Sequence, residues 1–389
     1  MTGWMSTLSW QAGTASGSFL TGTIIQALIQ INNPDYNPTA WQGTLLVFAM
    51  VLVLWIANTW GARDLPLIQN ILLVVHVFAF FAVIIVLWVM APRNSAKVAF
   101  TQFNNEGGWS SMGLALMVGQ ISAIYGSLCS DCTAHMAEEV KDAGRNVPNA
   151  MFWAYVGNGI LGLILIITYN FALTDVDAAL DDPTTYPFIW VFRQSVSTGG
   201  VNALTITILI LVIASNISFN ASTSRQTFAF ARDKGLPFHR WIGAVNPRLH
   251  IPANAVSLTC ICSCLLALIN IGSSTAFNAI ISLQVCALMF SYTISISCVL
   301  YRRVYHPELL PKARWSLGKI GVPINAIGIL YSLFAFFWSF WPNGTPVDAE
   351  SFNWAVVLFA GVFILCFILY FFQGRKIYTG PVVTVQGRN

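Results

Sequence analysis

The sequence predicts an all-α, polytopic membrane protein with about ten transmembrane helices. Composition is the first reason: 56% of the 389 residues are hydrophobic and only 9% are charged, against roughly 25% in a water-soluble domain. Mean hydropathy is correspondingly high, at +0.67. Arrangement is the second reason. The apolar residues form continuous runs of about 20 or more, the length that crosses a bilayer as a helix, without the alternation of barrel strands. The third reason is that Lys and Arg crowd into alternate loops. So little charge also excludes a disordered chain and a nucleic-acid-binding surface.

The runs fall in order at about 8–31, 41–60, 66–91, 109–137, 150–173, 201–223, 253–271, 276–301, 321–341 and 353–373. Met1-Thr2-Gly3-Trp4 has no basic stretch and no cleavage site, so it does not read as a signal peptide. The chain enters its first span almost at once. That span carries Gly13-x-x-x-Gly17 with Ser16, Ser18 and Gly22 nearby, which predicts close helix packing or a face that lines a site. In the third span His76 lies in Leu-Val-Val-His-Val-Phe, as a proton relay or as a hydrogen-bonded structural residue. The sixth span ends with Asn216 and Asn220 one turn apart, facing a cavity or a neighbouring helix. The eight cysteines all fall within predicted spans. They read as small apolar packing residues, Cys129-x-x-Cys132 included, because no thioredoxin-like context surrounds that pair.

The basic residues give the orientation. Arg63, Lys141, Arg145, Arg225, Arg232, Lys234, Arg240, Arg248, Arg302, Arg303, Lys312, Arg314, Lys319, Arg375, Lys376 and Arg388 share one set of loops and the C-terminus, 16 of the 19 Lys and Arg. The other loops hold Arg93, Lys97 and Arg193, beside acids such as Asp175, Asp177, Asp181, Asp182, Asp348 and Glu350. Cytoplasmic loops keep the basic excess, so both termini are expected in the cytoplasm. Asn343-Gly-Thr345 is a glycosylation sequon in an expected outer loop.

The chemically richest stretch runs from Tyr125 to Pro148. Asp131 falls inside a span, where a charge costs at least roughly 2.5 kcal/mol. Gly126, Ser127, Ser130 and Thr133 around it are weak helix formers. Together they predict a discontinuous helix whose unwound backbone lines a cavity; the alternative is a polar helix end near the membrane surface. His135 and Glu138-Glu139 lie a turn apart, but no second His/Glu pair or Cys/His cluster stands at ligand spacing, so no metal is expected. No nucleophile elbow, phosphate loop or paired carboxylate appears. An enzyme is not expected.

Two stretches resemble the amino acid–polyamine–organocation permeases. Met136-Ala-Glu-Glu-Val-Lys-Asp-Ala-Gly-Arg-Asn-Val-Pro148 is similar to the close of that superfamily's sixth helix and the start of its seventh. Ser224-Arg225-Gln-Thr-Phe-Ala-Phe-Ala-Arg232-Asp233-Lys-Gly-Leu-Pro237 resembles the signature after its eighth. Ser-Asp-x-x-Ala-His-Met-Ala-Glu-Glu points to the fungal branch of choline, GABA and amino-acid permeases.

The resemblance implies a leucine-transporter-like fold of two inverted repeats and two accessory helices. By this resemblance ten of the family's twelve helices are expected in these residues, without a match to the first two. Residues 1–91 would be the remainder of the first repeat, 109–301 the second repeat and 321–373 the accessory helices. The implied function is secondary transport, by alternating access, of an amino acid or a small amine such as choline or GABA. Proton coupling is expected, with no cofactor; the partners are the substrate and the lipid bilayer of the plasma or another membrane. Tyr125, Gly126, Ser127, Asp131, Asn216 and Ser16 are the implied substrate site. Glu138, Glu139, Arg145 and a loop bearing Arg225 and Arg232 would clasp the cytoplasmic side. The alternative is a non-transporting membrane protein or partner subunit.

Overall fold

A computed structural model describes residues 1–272, 275–310, 313–349, 351–378 and 380. Lys312, Glu350 and Arg388, assigned above to loops and tail, lie outside the described residues. Among the described residues all regular structure is helical. In chain order the principal helices are α1 (Thr2–Asn32), α2 (Ala40–Thr59), α3 (Leu65–Met90), α4 (Met112–Ser127), α5 (Cys132–His135), α6 (Ala143–Ala172), α7 (Val176–Leu180), α8 (Pro187–Ser195), α9 (Thr198–Arg232), α10 (Ala253–Ala267), α11 (Ala276–Tyr305), α12 (Gly321–Trp338) and α13 (Ala355–Leu369).

Each of the ten predicted spans meets a helix, most of them within a few residues of the predicted bounds. Among the described residues, eight helices are long and apolar enough to cross a membrane. The other two differ for identifiable reasons. Helix α1 has 31 residues, ample length, but it carries so many Thr, Ser and Gln side chains that it is less apolar than the others. Helix α4 stops after 16 residues, because the predicted span 109–137 breaks where the weak helix formers cluster. Helix α9 runs to Arg232, nine residues past its predicted end. Arg225 and Arg232 therefore lie on the last turns of a helix rather than in a loop. Ser224-Arg-Gln-Thr-Phe-Ala-Phe-Ala contains no Gly or Pro, and nothing in it ends a helix before Asp233.

Polarity is arranged from the inside out, as lipid demands. Helix α1 sits at the centre, packed on α2, α9, α10, α11 and α13. Its Trp10, Thr14, Ser16, Ser18 and Thr21 are fully buried. Around it, α3 and α6 turn Phe78, Val89, Trp153 and Leu163 outward. Lipid tails are as apolar as leucine, so close packing and interhelical hydrogen bonds hold such helices together rather than apolar burial. Gly13 packs on the Phe219 ring, Gly17 on Asn216 and Gly22 on Val47. The small residues of α1 thus serve close packing. On the other side Met5, Ala12 and Ala15 meet Ile280, Leu283 and Ala287 of α11, with Phe359 of α13. His76 lies on the exposed face of α3 and, among the described residues, has no hydrogen-bond partner; it joins neither a relay nor a polar core.

Candidate functional site

The break in the predicted span 109–137 organises the site. Helix α4 ends at Ser127 and Leu128 is extended. Cys129 then takes a positive φ of 71°, a left-handed conformation that a β-carbon disfavours. Asp131 precedes α5 and its side chain caps nothing. Unwound backbone at membrane depth requires polar neighbours or a cavity, and both are present.

On the α1 side the neighbours form a chain of hydrogen bonds. The Tyr125 hydroxyl lies 3.0 Å from Ser16 Oγ. Ser16 Oγ also stands 2.8 Å from the Gly13 carbonyl and 3.2 Å from Gln284 Oε1. Gln284 Nε2 donates to Cys129 Sγ at 3.4 Å, and Ser9 Oγ donates to the Gln284 carbonyl at 2.8 Å. One buried glutamine of α11 therefore bridges the central helix and the left-handed turn. Gln284 was missed in the sequence, being a lone amide within an apolar run.

Beyond the turn, Asp131 faces His135, with Oδ2 and Nε2 3.5 Å apart. Asp131 Oδ1 and His135 Nε2 are buried and have no hydrogen-bond partner. The Trp10 ring meets the imidazole edge-on at 4.7 Å, and Tyr292 of α11 faces the same carboxylate. Asp131, His135 and Tyr292 line a cavity of about 660 Å³ that also reaches Ser6, Glu139, Arg225 and His250. The cavity opens at the end of the molecule where the basic residues gather.

Ion pairs line that end. Arg232 donates to both oxygens of Glu138 at 2.7 and 3.0 Å, and Arg225 pairs with Glu139. The Arg232 guanidinium beside Glu138 holds its carboxyl below the usual carboxylate range. Arg145 stands exposed on the first turn of α6 with no ion pair among the described residues. Arg314, from the α11–α12 loop, pairs instead with Asp142. At the far end a short helical hairpin, α7–α8, folds inward. Its Tyr186 hydroxyl meets Thr23 of α1, and burial pushes that phenol up to about 12. Asp182 anchors the hairpin, accepting from the Thr184 N–H at 2.9 Å and from Arg193 Nη1 at 2.8 Å.

The structure brings Tyr125 and Ser16 together beside the turn before Asp131. Gly126 and Ser127 lie exposed at the end of α4, and the Ser127 hydroxyl bonds back to its own helix at Ala123. Asn216 takes the interhelical of the two placements that the sequence left open. It is buried, donates to Ser18 Oγ at 3.0 Å and packs on Gly17, on the side of α1 that faces α9. Asn220 also meets a neighbouring helix, donating to Cys260 Sγ.

Comparison with known proteins gives the family. The chain is similar to the choline transporter of Saccharomyces cerevisiae, 28% identical over 93% of this chain and 64% of that protein. It is 27% identical to amino-acid permease 2 of Neurospora crassa, over 98% of this chain and 70% of the other. Against an Arabidopsis thaliana amino-acid permease it is 27% identical, over 99% of this chain and 77% of the other. The chain therefore spans somewhat under two thirds of the choline transporter's length. A family profile described as amino acid permease matches residues 1–363. With the broken helix, the polar centre and that match over nearly its whole length, the chain belongs to the amino acid permease family.

Proposed function

We propose that the protein is a secondary transporter of an amino acid or a small amine such as choline or GABA. The observation that carries this is Asp131. A carboxylate at membrane depth, beside an unwound turn, keeps one buried oxygen without a partner, and an ammonium group would satisfy it. Tyr125, held by Ser16, stands above as a gate. Gly126 and Ser127 offer the backbone of the helix end. Asn216 acts through α1, fixing the wall that carries Ser16. The relatives' names, choline transporter and amino-acid permease, support the substrate class.

In this proposal the cycle rocks one group of helices against another around the turn. Residues 1–91 are read as part of a first repeat, 109–301 as the second and 321–373 as accessory helices. The basic end lies in the cytoplasm with both termini, and the Glu138–Arg232 and Glu139–Arg225 pairs open and close that side. A proton gradient drives the cycle.

The experiment is uptake of radiolabelled choline, GABA and amino acids into proteoliposomes. Saturable uptake of one of them, lost in Asp131→Asn with the fold intact, is the expected result. A folded protein that neither binds nor carries any of them sinks the reading.

A further inference from the structure

We propose that a cationic amine on Asp131 and a proton on the neighbouring His135 exclude one another, so that one leaves as the other arrives. The inference rests on the transport reading only for the amine; the Asp131–His135 pair stands on its own geometry. The two side chains lie on successive turns, 3.5 Å apart, and each is 17% exposed. Neutral His135 leaves the carboxylate without a cation. Protonated His135 supplies that cation from the same helix.

Charge accounting in a low-dielectric site makes the two states exclusive. Carboxylate, neutral imidazole and bound amine sum to zero, as do carboxylate and imidazolium with no amine. Both cations together leave an excess positive charge, and neither leaves an excess negative one; each is costly at membrane depth. Amine binding at Asp131 therefore releases the proton from His135 Nε2, and amine departure restores it.

The surroundings support that exchange. Trp10, fully buried, closes one face of the imidazole with its ring edge and brings no titratable group from α1. From α11 the pair meets Tyr292. From the short helical turn come Glu138 and Glu139, and from α9 Arg225 and Asp233, with His250 and Tyr378 at the cavity wall. Glu138 and Glu139 are already committed to Arg232 and Arg225. The cavity reaches Asp131 and His135 from the basic end, which gives the released proton a way out. Cys132 and Cys129 complete the polar neighbours on the broken helix itself.

Choline is the probe, because its charge is fixed and any pH dependence belongs to the protein. Choline affinity of the full chain in nanodiscs, measured from about pH 5 to about pH 8, should weaken by about tenfold per pH unit on the acid side. His135→Gln should flatten that profile while still binding choline at the alkaline end. A flat wild-type profile, or an unchanged slope in His135→Gln, overturns the proposal. Proton release on binding provides a second readout: choline should release a proton from wild type and none from His135→Gln, measured by calorimetry in buffers of different ionisation enthalpy. Choline binding with no proton released overturns the proposal and keeps the transport reading. A folded protein that binds no choline counts against the transport reading and takes the proposal with it.

Discussion

The Asn216 side-chain oxygen lies so close to Gly17 that a β-carbon added there would stand 2.5 Å from it. Three atoms of the same amide crowd that position, so the contact belongs to one side chain and is testable. Gly17→Ala is expected to destabilise the protein by about 1–3 kcal/mol, read as a lower melting temperature in detergent. Gly17→Ala combined with Asn216→Ala should recover part of the loss, because the second change removes every crowding atom. A double variant as weak as the sum of the two singles would mean that the backbone, not the amide, resists the methyl group.

Gln284 joins α1 to the left-handed turn through three separate hydrogen bonds. Gln284→Met keeps the volume and removes the side-chain donor and acceptor, leaving Ser16 and Cys129 without that bridge. A loss of about 1–2 kcal/mol is expected, with a larger loss of substrate binding, because the turn is no longer held against α1. Melting curves and ligand titration on the same sample separate the two effects.

The Glu138–Arg232 pair gives a pH dependence with a definite sign. Its carboxyl is held below the usual range, so the contribution is present above the unfolded-state value and disappears as pH falls through the folded-state value. Glu138 is 63% exposed, which limits the stabilisation to less than about 1 kcal/mol. Wild type and Arg232→Gln should therefore differ in melting temperature at about pH 7 and converge at about pH 3. A gap that persists in acid would have a source other than the ionised carboxylate.

Asp182 is buried and accepts from Thr184 and Arg193 at once. Arg193 is 35% exposed, so water takes up part of its charge, and losing Asp182's hydrogen bonds costs about 1–2 kcal/mol. Asp182→Ala should show that cost locally, as faster amide exchange over Val176–Leu180 and Pro187–Ser195. The basic end should keep its protection.

Much of the architecture is legible in the sequence because a bilayer leaves few alternatives. Apolar runs mark the spans, and the cluster of Gly126, Ser127, Ser130 and Asp131 marks the break. Pairings are a different matter. Ser16 meets Tyr125 across 109 positions of chain, and only the family resemblance placed both near one site. Gln284 sits in an apolar run with nothing to distinguish it. Arg145 and Arg314 are both basic loop residues, and only the fold decides which of them reaches an acid. Asn216 was placed near the site by the same resemblance, and only the helix rotation shows that its amide donates to Ser18. Sequence polarity identifies the groups that need partners; it does not choose the partner.

Helix α1 is both central and poor in apolar side chains, and that pairing bears on how the protein is made. A segment so rich in Thr, Ser and Gln gains little by entering lipid alone. Its polar face is satisfied by helices α9, α10 and α11, which the ribosome delivers about 200 residues or more later. Until those arrive, α1 must wait beside the translocon, in a chaperone's keeping or in the company of α2. Membrane integration of this chain is thus a cooperative event rather than a succession of independent insertions. A substitution at the α1–α11 seam should be felt first as failed biogenesis, before any defect in the assembled protein can be measured.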